Sequence, residues 1–521
     1  MTQLTQIVAF LTLALPLLLL VGAAASRWSF RWTAATLATS LALISVVGAA
    51  GLALAGSVSG AFTPWQDSAL LRLAPASLAI ALLLAFLSLV IVRYSKDYLR
   101  GEPRLGRYLA MLQLTLAAVS VVVLTNHMLV LLTGWVAISL GLHQLLLFYP
   151  ERPRAALAAH KKFLFARTAE SFLLAAVLLL WSHHDTWLIS EIVAAYPAAD
   201  LTLTEQLAAL CIAAAALIKC AQLPAHGWLI QVVEAPTPVS ALLHAGIINL
   251  GGYLLILFAP LFAQASPAQW VVLVVAGLTT VLAALIMTTR ISIKVKLAWS
   301  TSAQMGLMLV ECALGLYDLA LLHLLAHACY KAHAFLNAGS AVEADLTRRL
   351  AASAGPDRGR WLVAWTVPAA VAMAALWLTG FDGAWSPWLL LAAAASVVLA
   401  ERDSRSYRET LSAALGLATL LVVAYAVQKL AAGQLIAPVA TSAGWLGNAW
   451  IALLVLALAG TYLFLRACPD RPLARRLSVW LYAGLYLDEW VTRTTLRVWP
   501  IRLPIRLQPK TLSLLTEETA R

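Results

Sequence analysis

The chain has 521 residues, 62% of them apolar and only 12% charged, with a net charge of +12. A water-soluble fold of that composition would lack polar surface, and an outer-membrane barrel would alternate polar and apolar residues where this chain has continuous apolar runs. The five cysteines, Cys211, Cys220, Cys312, Cys329 and Cys468, form no CxxC pair, and neither a GxGxxG nor a P-loop occurs. That argues against iron–sulfur, thiolate-zinc and nucleotide sites.

Apolar runs about as long as a bilayer core is thick are membrane-crossing helices. In chain order the predicted spans are 4–25, 32–56, 77–94, 108–125, 127–148, 160–181, 205–222, 239–262, 269–288, 297–314, 319–340, 361–380, 386–400, 410–428 and 447–465. The expectation is an all-α polytopic membrane protein of about fifteen helices. The first run reads as a retained span rather than a cleaved leader. Residues 1–465 form the membrane domain and 466–521 a basic, aromatic tail.

Lys and Arg cluster on alternate connections: Arg27 and Arg31, Arg93 to Arg107, Arg152 to Lys162, Arg290 to Lys296, Arg348 to Arg360, Arg402 to Arg408, and the tail. The intervening connections hold Arg72 and Lys429, and Ser182 to Glu205 has no Lys or Arg but carries Asp185, Glu191 and Asp200. By the positive-inside rule the N-terminus is expected outside and the tail in the cytoplasm. The basic charge is therefore an orientation signal, and a nucleic-acid partner is not expected.

The spans themselves keep few polar groups. Arg167, Lys219 and Lys331 are the basic ones, and Glu170, Glu234 and Glu311 the acids; Glu311 is placed where it can reach water at a helix end. Charge at bilayer depth costs roughly 2.5–3.5 kcal/mol per group, so such residues are usually functional. Arg167 and Glu170, three apart, share one helix face, either as a structural pin or as a pair tuning a titrating neighbour. Lys219 lies just before Pro224, which breaks the seventh span, and Pro236 and Pro238 precede the next helix. A buried amine and an imidazole such as His244 are groups that can pass a proton. His323, His327 and Lys331 repeat at i, i+4 and i+8, a ladder about 12 Å long on one helix face. No carboxylate or cysteine in sequence completes a zinc shell around the two histidines, so no metal site is expected in this chain.

The stretch from Lys219 to Gly252 carries Gln222-Leu223-Pro224, His226, Trp228-Leu229, Glu234 and Pro236 to Ala245. In this it resembles the proton-conducting antiporter-like membrane family, which includes the NuoL, NuoM and NuoN subunits of respiratory complex I and the Mrp antiporters. Lys161 with Arg167 to Glu170, Lys294 with Ala298 to Thr301 and Gln304 to Gly306, and His323-His327-Lys331 are similar to further motifs of that family, so the likeness runs over about residues 75–345.

The resemblance implies inverted repeats with discontinuous helices. It implies a proton route through Lys219, His244, His323, His327 and Lys331, with His143, Arg167, Glu170, His226 and Glu234 tuning or coupling it. Two family features are missing: Trp135 is followed by Val136 where the family has a glutamate, and Gly380-Phe381-Asp382 is a remnant of a lysine-bearing motif. His143 and Gln144 are the nearest polar substitutes for the glutamate.

These departures are similar to the branch of the family found in DAB inorganic-carbon accumulation complexes. That branch implies a cation-translocating subunit, with the proton taken before Na+, and a DabA-type cytoplasmic zinc protein resembling β-carbonic anhydrases as partner. Zinc would belong to the partner, and no cofactor and no catalysis are expected here. Trp480, Tyr482, Tyr486, Trp490 and Arg493 of the tail are candidates for binding the partner or lying at the bilayer surface. The alternatives are a subunit of a respiratory NADH:quinone or hydrogenase complex, and a non-conducting membrane anchor.

Overall fold

A computed structural model describes residues 3–59, 68–196, 200–350, 358–379, 385–400, 407–433, 435–436 and 444–500. Among these residues the regular elements are helices, apart from two isolated bridges pairing Leu71 with Thr125 and His127 with Leu188. The helices are α1 (Gln3–Ala25), α2 (Arg31–Val58), α3 (Pro75–Tyr98), α4 (Leu105–Leu124), α5 (Met128–Leu146), α6 (Pro153–His184), the short α7 (Ile189–Ala194), α8 (Leu203–Lys219) and α9 (Gly227–Gln231). There follow α10 (Thr237–Ala245), α11 (Leu250–Leu257), α12 (Ala259–Phe262), α13 (Ser266–Thr288), α14 (Ile293–Ala313), α15 (Tyr317–Leu336) and α16 (Ala341–Leu350). The last are α17 (Arg358–Thr379), α18 (Ser386–Ala400), α19 (Tyr407–Gly433), α20 (Trp445–Ala467), α21 (Pro472–Tyr482) and α22 (Leu487–Val498).

Eleven stretches among the described residues are long and apolar enough to cross a bilayer, with α10 and α11 together making one of them. The other four predicted spans are present as α8, α14, α17 and α18. Each fails the length or apolarity expected of a free-standing span: α8 has 17 residues, and α14 carries Lys294, Lys296 and Glu311. Such helices cross a membrane only inside a bundle, where neighbours meet their polar groups.

The main core joins α1 to α15 and α20, while α17, α18 and α19 pack into small clusters of their own against α15 and α20. The basic connections gather at one end of the bundle. There Arg104 donates to the Phe148 carbonyl at 3.3 Å, Tyr94 to the Leu336 carbonyl at 3.0 Å and Arg290 to the Leu481 carbonyl at 3.3 Å. At the opposite, acidic end Asn126 ties Ser68 and Ser190 together at 2.9 and 2.8 Å.

Two helices are broken at mid-bundle. The first break follows Lys219, as Pro224 predicts. Freed backbone groups there are bonded by neighbouring helices: Ser302 donates to the Ala221 carbonyl at 2.9 Å, and Thr279 accepts from the Leu223 amide at 3.1 Å. Gln222 donates to the Cys220 carbonyl at 2.7 Å. This is how irregular backbone survives without water. Gly306 lets the loop sit there, since a Cβ would lie 2.7 Å from the Ala276 carbonyl and 2.9 Å from Gln222 Oε1.

The second break corrects the sequence reading, which took 239–262 as one continuous helix. The chain turns at Gly246 through a 3-10 turn over Ile247–Asn249, between α10 and α11. His244 thus sits at a helix end, one residue before the break.

Candidate functional site

The titratable residues converge on the inside of the bundle in two groups. The first lies between α5, α6 and α8. Lys219, nearly buried, holds its ammonium 4.6 Å from the centre of the Trp135 ring, a cation–π contact. Arg167 pairs with Glu170 at 2.7 Å and donates to Ser139 Oγ at 2.6 Å.

The sequence reading missed a member of this group. It assigned Lys162 to a basic connection and counted three basic residues in the spans. Lys162 is buried in α6 instead, donates to the Ser139 carbonyl at 2.6 Å, and lines a small cavity with Trp135, Phe165, Lys219 and Trp228. The signal was present: Ala155, Ala158, Ala159, Lys162, Ala169, Leu173, Ala176 and Leu180 recur at helical spacing as the buried stripe of α6.

The second group joins α10, α14 and α15. The Thr301 hydroxyl donates to the Leu297 carbonyl at 2.9 Å, so it accepts from His244 Nδ1 at 3.1 Å. That assigns the proton of neutral His244 to Nδ1 and leaves Nε2 as the free acceptor. The same Leu297 carbonyl receives Lys331 Nζ at 3.3 Å, and Ser300 Oγ receives it at 2.8 Å. His244 and Lys331 are therefore tied to one turn of α14. From Lys331 the line continues one helical turn to His327 and another to His323, whose ring centroids are 6.1 Å apart.

Glu311 departs from expectation. It was placed where it could reach water, but only 4% of it is exposed and it pairs with His323 Nδ1 at 3.0 Å. It ends the ladder because α14 and α15 are antiparallel neighbours, which sets the end of one beside the start of the other. Three ring nitrogens on this line, His244 Nε2 and both of His327, are buried and have no protein hydrogen-bond partner among the described residues. Buried polar atoms of that kind are normally met by water.

The remaining candidates lie nearer the basic end. His226 is buried at the start of α9, its ring centred 5.1 Å from Trp299. Glu234 is part-exposed and faces Arg154 at 3.9 Å, a surface pair worth little. Of the residues considered as substitutes for the fifth-helix glutamate, Gln144 bonds Arg107, His143 Nδ1 lies 3.3 Å from the Ala159 carbonyl, and Glu170 pairs with Arg167. The remnant at Gly380-Phe381-Asp382 lies outside the described residues.

The tail folds back under this site. In α22 the inward face is Asp488, Val491, Thr492 and Thr495, at helical spacing. Asp488 receives the fully buried Lys161 at 2.8 Å and Gln231 at 2.9 Å, and Lys161 also donates to Thr492 at 2.8 Å. Trp499 stacks on His160 with ring centroids 4.0 Å apart and touches His143 and Phe163. Trp480, Tyr482, Tyr486 and Trp490 are exposed, and Arg493 pairs with Glu489 at 3.4 Å. The Asp488 carboxylate occupies the place a side chain at Gly227 would take. Gly227→Ala should therefore push the Asp488 carboxylate aside and loosen the docked tail. Limited proteolysis is the check: the variant is expected to be cut after Cys468 at least tenfold faster than the wild type.

Residues 125–355 match the family model described as NADH:quinone oxidoreductase/Mrp antiporter, TM. The chain is 48% identical over 516 residues to the probable inorganic carbon transporter subunit DabB of Hydrogenovibrio crunogenus, covering 98% of each. It is 35% identical over 530 residues to DabB2 of Halothiobacillus neapolitanus, covering 94% of each. Among solved structures, the Mrp complex from Dietzia sp. DQ12-45-1b superposes with a TM-score of 0.57 at 24% identity, over 97% of this chain and 57% of that one. Likeness at that level concerns the fold alone. A near full-length relative of 48% identity settles membership: this chain belongs to the antiporter-like membrane family, in its DabB branch.

Proposed function

We propose that this protein is the cation-conducting membrane subunit of an inorganic-carbon accumulation complex, with the proton as the cation. The observation that carries the reading is the buried line of titratable groups through the bundle, from Glu311 through His323, His327, Lys331 and His244 towards Lys219. An apolar bundle retains so many such groups in register only where they do something.

By the positive-inside rule the basic end faces the cytoplasm and the acidic end the outside. Protons driven inwards load the Glu311–His323 pair first. They pass His327, Lys331 and His244 with water bridging the gaps, and reach Lys219. Arg167, Glu170 and Lys162 set the field in which Lys219 takes up and gives away its proton. Leaving Lys219, they emerge near His226 at the basic end, beside the docked tail. There a DabA-type zinc partner would use their passage to make hydration of CO2 to bicarbonate one-way. The zinc chemistry would belong to that partner. The exposed aromatics of α21 and α22 suit its docking, since Trp and Tyr dominate interface hot spots.

Pull-down of the tagged protein from native membranes, with mass spectrometry and metal analysis, tests the setting. A stoichiometric zinc-containing soluble protein is the expected result. Quinone, iron–sulfur or hydrogenase subunits in its place would move the chain to a redox complex. A zinc partner with transport indifferent to both a protonophore and a Na+ ionophore would reduce the chain to an anchor.

A further inference from the structure

At the acidic end, away from the proton line, two consecutive histidines close α6 and a glutamate opens α8. His183 Nε2 and His184 Nε2 both face Glu205 Oε1, at 3.4 and 3.5 Å. The three ligand atoms lie within 4.8 Å of one another. We propose that His183, His184 and Glu205 form a zinc-binding site that clamps the end of α6 to the start of α8.

The spacing argues for a metal over a simple ion pair. A charge-assisted N–H···O bond draws its atoms to about 2.7–2.9 Å. Ligands bonded to tetrahedral zinc at about 2.0–2.1 Å stand about 3.4 Å from one another. Each histidine stands at the second spacing from Glu205 Oε1, and the two histidine nitrogens lie within 4.8 Å of each other. The donor chemistry agrees, because two imidazoles and a carboxylate are a usual zinc set.

The glutamate is also held in place before any ion arrives. Its Oε2 is used by the helix cap, accepting from the Thr202 amide at 2.8 Å and the Thr202 hydroxyl at 2.6 Å. Oε1 is left pointing at the imidazoles. Glu205 is buried, and a carboxylate there calls for a cation. The Tyr196 hydroxyl lies 2.7 Å from His184 Nε2, so zinc takes its place on that nitrogen, and water takes the fourth position.

The clamp joins the two helices that carry the first titratable group: α6 bears Lys162, Arg167 and Glu170, and α8 ends on Lys219. It sits at their far end and fixes their spacing without touching the ions that move. Whether the bundle carries protons or Na+ has no bearing on it.

Zinc titration of the purified full-length protein in detergent, against a chromophoric chelator, tests the proposal. Wild type is expected to take up one zinc more tightly, by at least tenfold, than either His183→Ala or Glu205→Gln, and zinc is expected to raise the Tm of wild type only. His183 is part-exposed at a helix end, so its substitution leaves the fold intact even if loss of the Glu205 cap does not. Wild-type zinc affinity in the His183→Ala protein overturns the proposal.

Discussion

Substituting Lys331 or Lys219 by Met should abolish cation-driven uptake while leaving the protein in the membrane. Lys331 is fully buried and its ammonium is bonded to Ser300 and the Leu297 carbonyl. Met retains the length and apolar body of the side chain and removes only the titrating head. The bundle should hold together, since replacing a buried charge by an apolar group of similar volume is often neutral or better. On the proposed route every proton passes these positions, so the expected loss of uptake in membrane vesicles is at least a hundredfold, with wild-type amounts of protein recovered. His244→Gln should be milder than either, because it keeps a hydrogen-bonding group against Thr301 and loses only the titration. Full uptake by the Lys331→Met protein would remove the ladder from the pathway.

The second large effect concerns the tail. Asp488→Ala strands Lys161, which has no exposure, without its counter-ion. Breaking a buried pair from one side costs about 3–5 kcal/mol. Asp488 is itself 31% exposed and water screens part of that, so about 2 kcal/mol is the expected destabilisation of the docked tail. Adding Lys161→Met should restore most of the loss, because neither charge is then left alone. Thermal unfolding of the two single variants and the double variant gives the coupling directly. Additive effects would mean that the pair does not hold the tail. Loss of partner binding in Asp488→Ala with recovery in the double variant would tie the docked tail to assembly.

Much of this architecture is written in the chain itself. Continuous apolar runs have no structured alternative to membrane helices, and fourteen of the fifteen predicted spans correspond to single helices, the span 239–262 being the one that is broken. Pro224 announces the first break because proline cannot continue a hydrogen-bonded helix. The ladder of His323, His327 and Lys331 is legible because one helix face repeats every three to four residues.

What the sequence could not give is which faces meet. Lys162 and Lys161 are adjacent, so their side chains point to different sides of α6. Only the packing of α5 and α22 shows that one donates to the Ser139 carbonyl while the other donates to Asp488, 327 residues later. Glu311 reads as a helix-end acid until α15 lays His323 against it. Gly246 reads as one small residue in an apolar run, and the break there rests on the neighbours that enclose α10 and α11. The His183–His184 pair and Glu205 are far enough apart in sequence to look unrelated, and the antiparallel pairing of α6 with α8 brings them together. Local pattern fixes helices and their buried stripes, because those depend on backbone geometry and the side chains of one segment. Long-range polar pairs depend on how the stripes are matched in space, and that is decided only when the bundle closes.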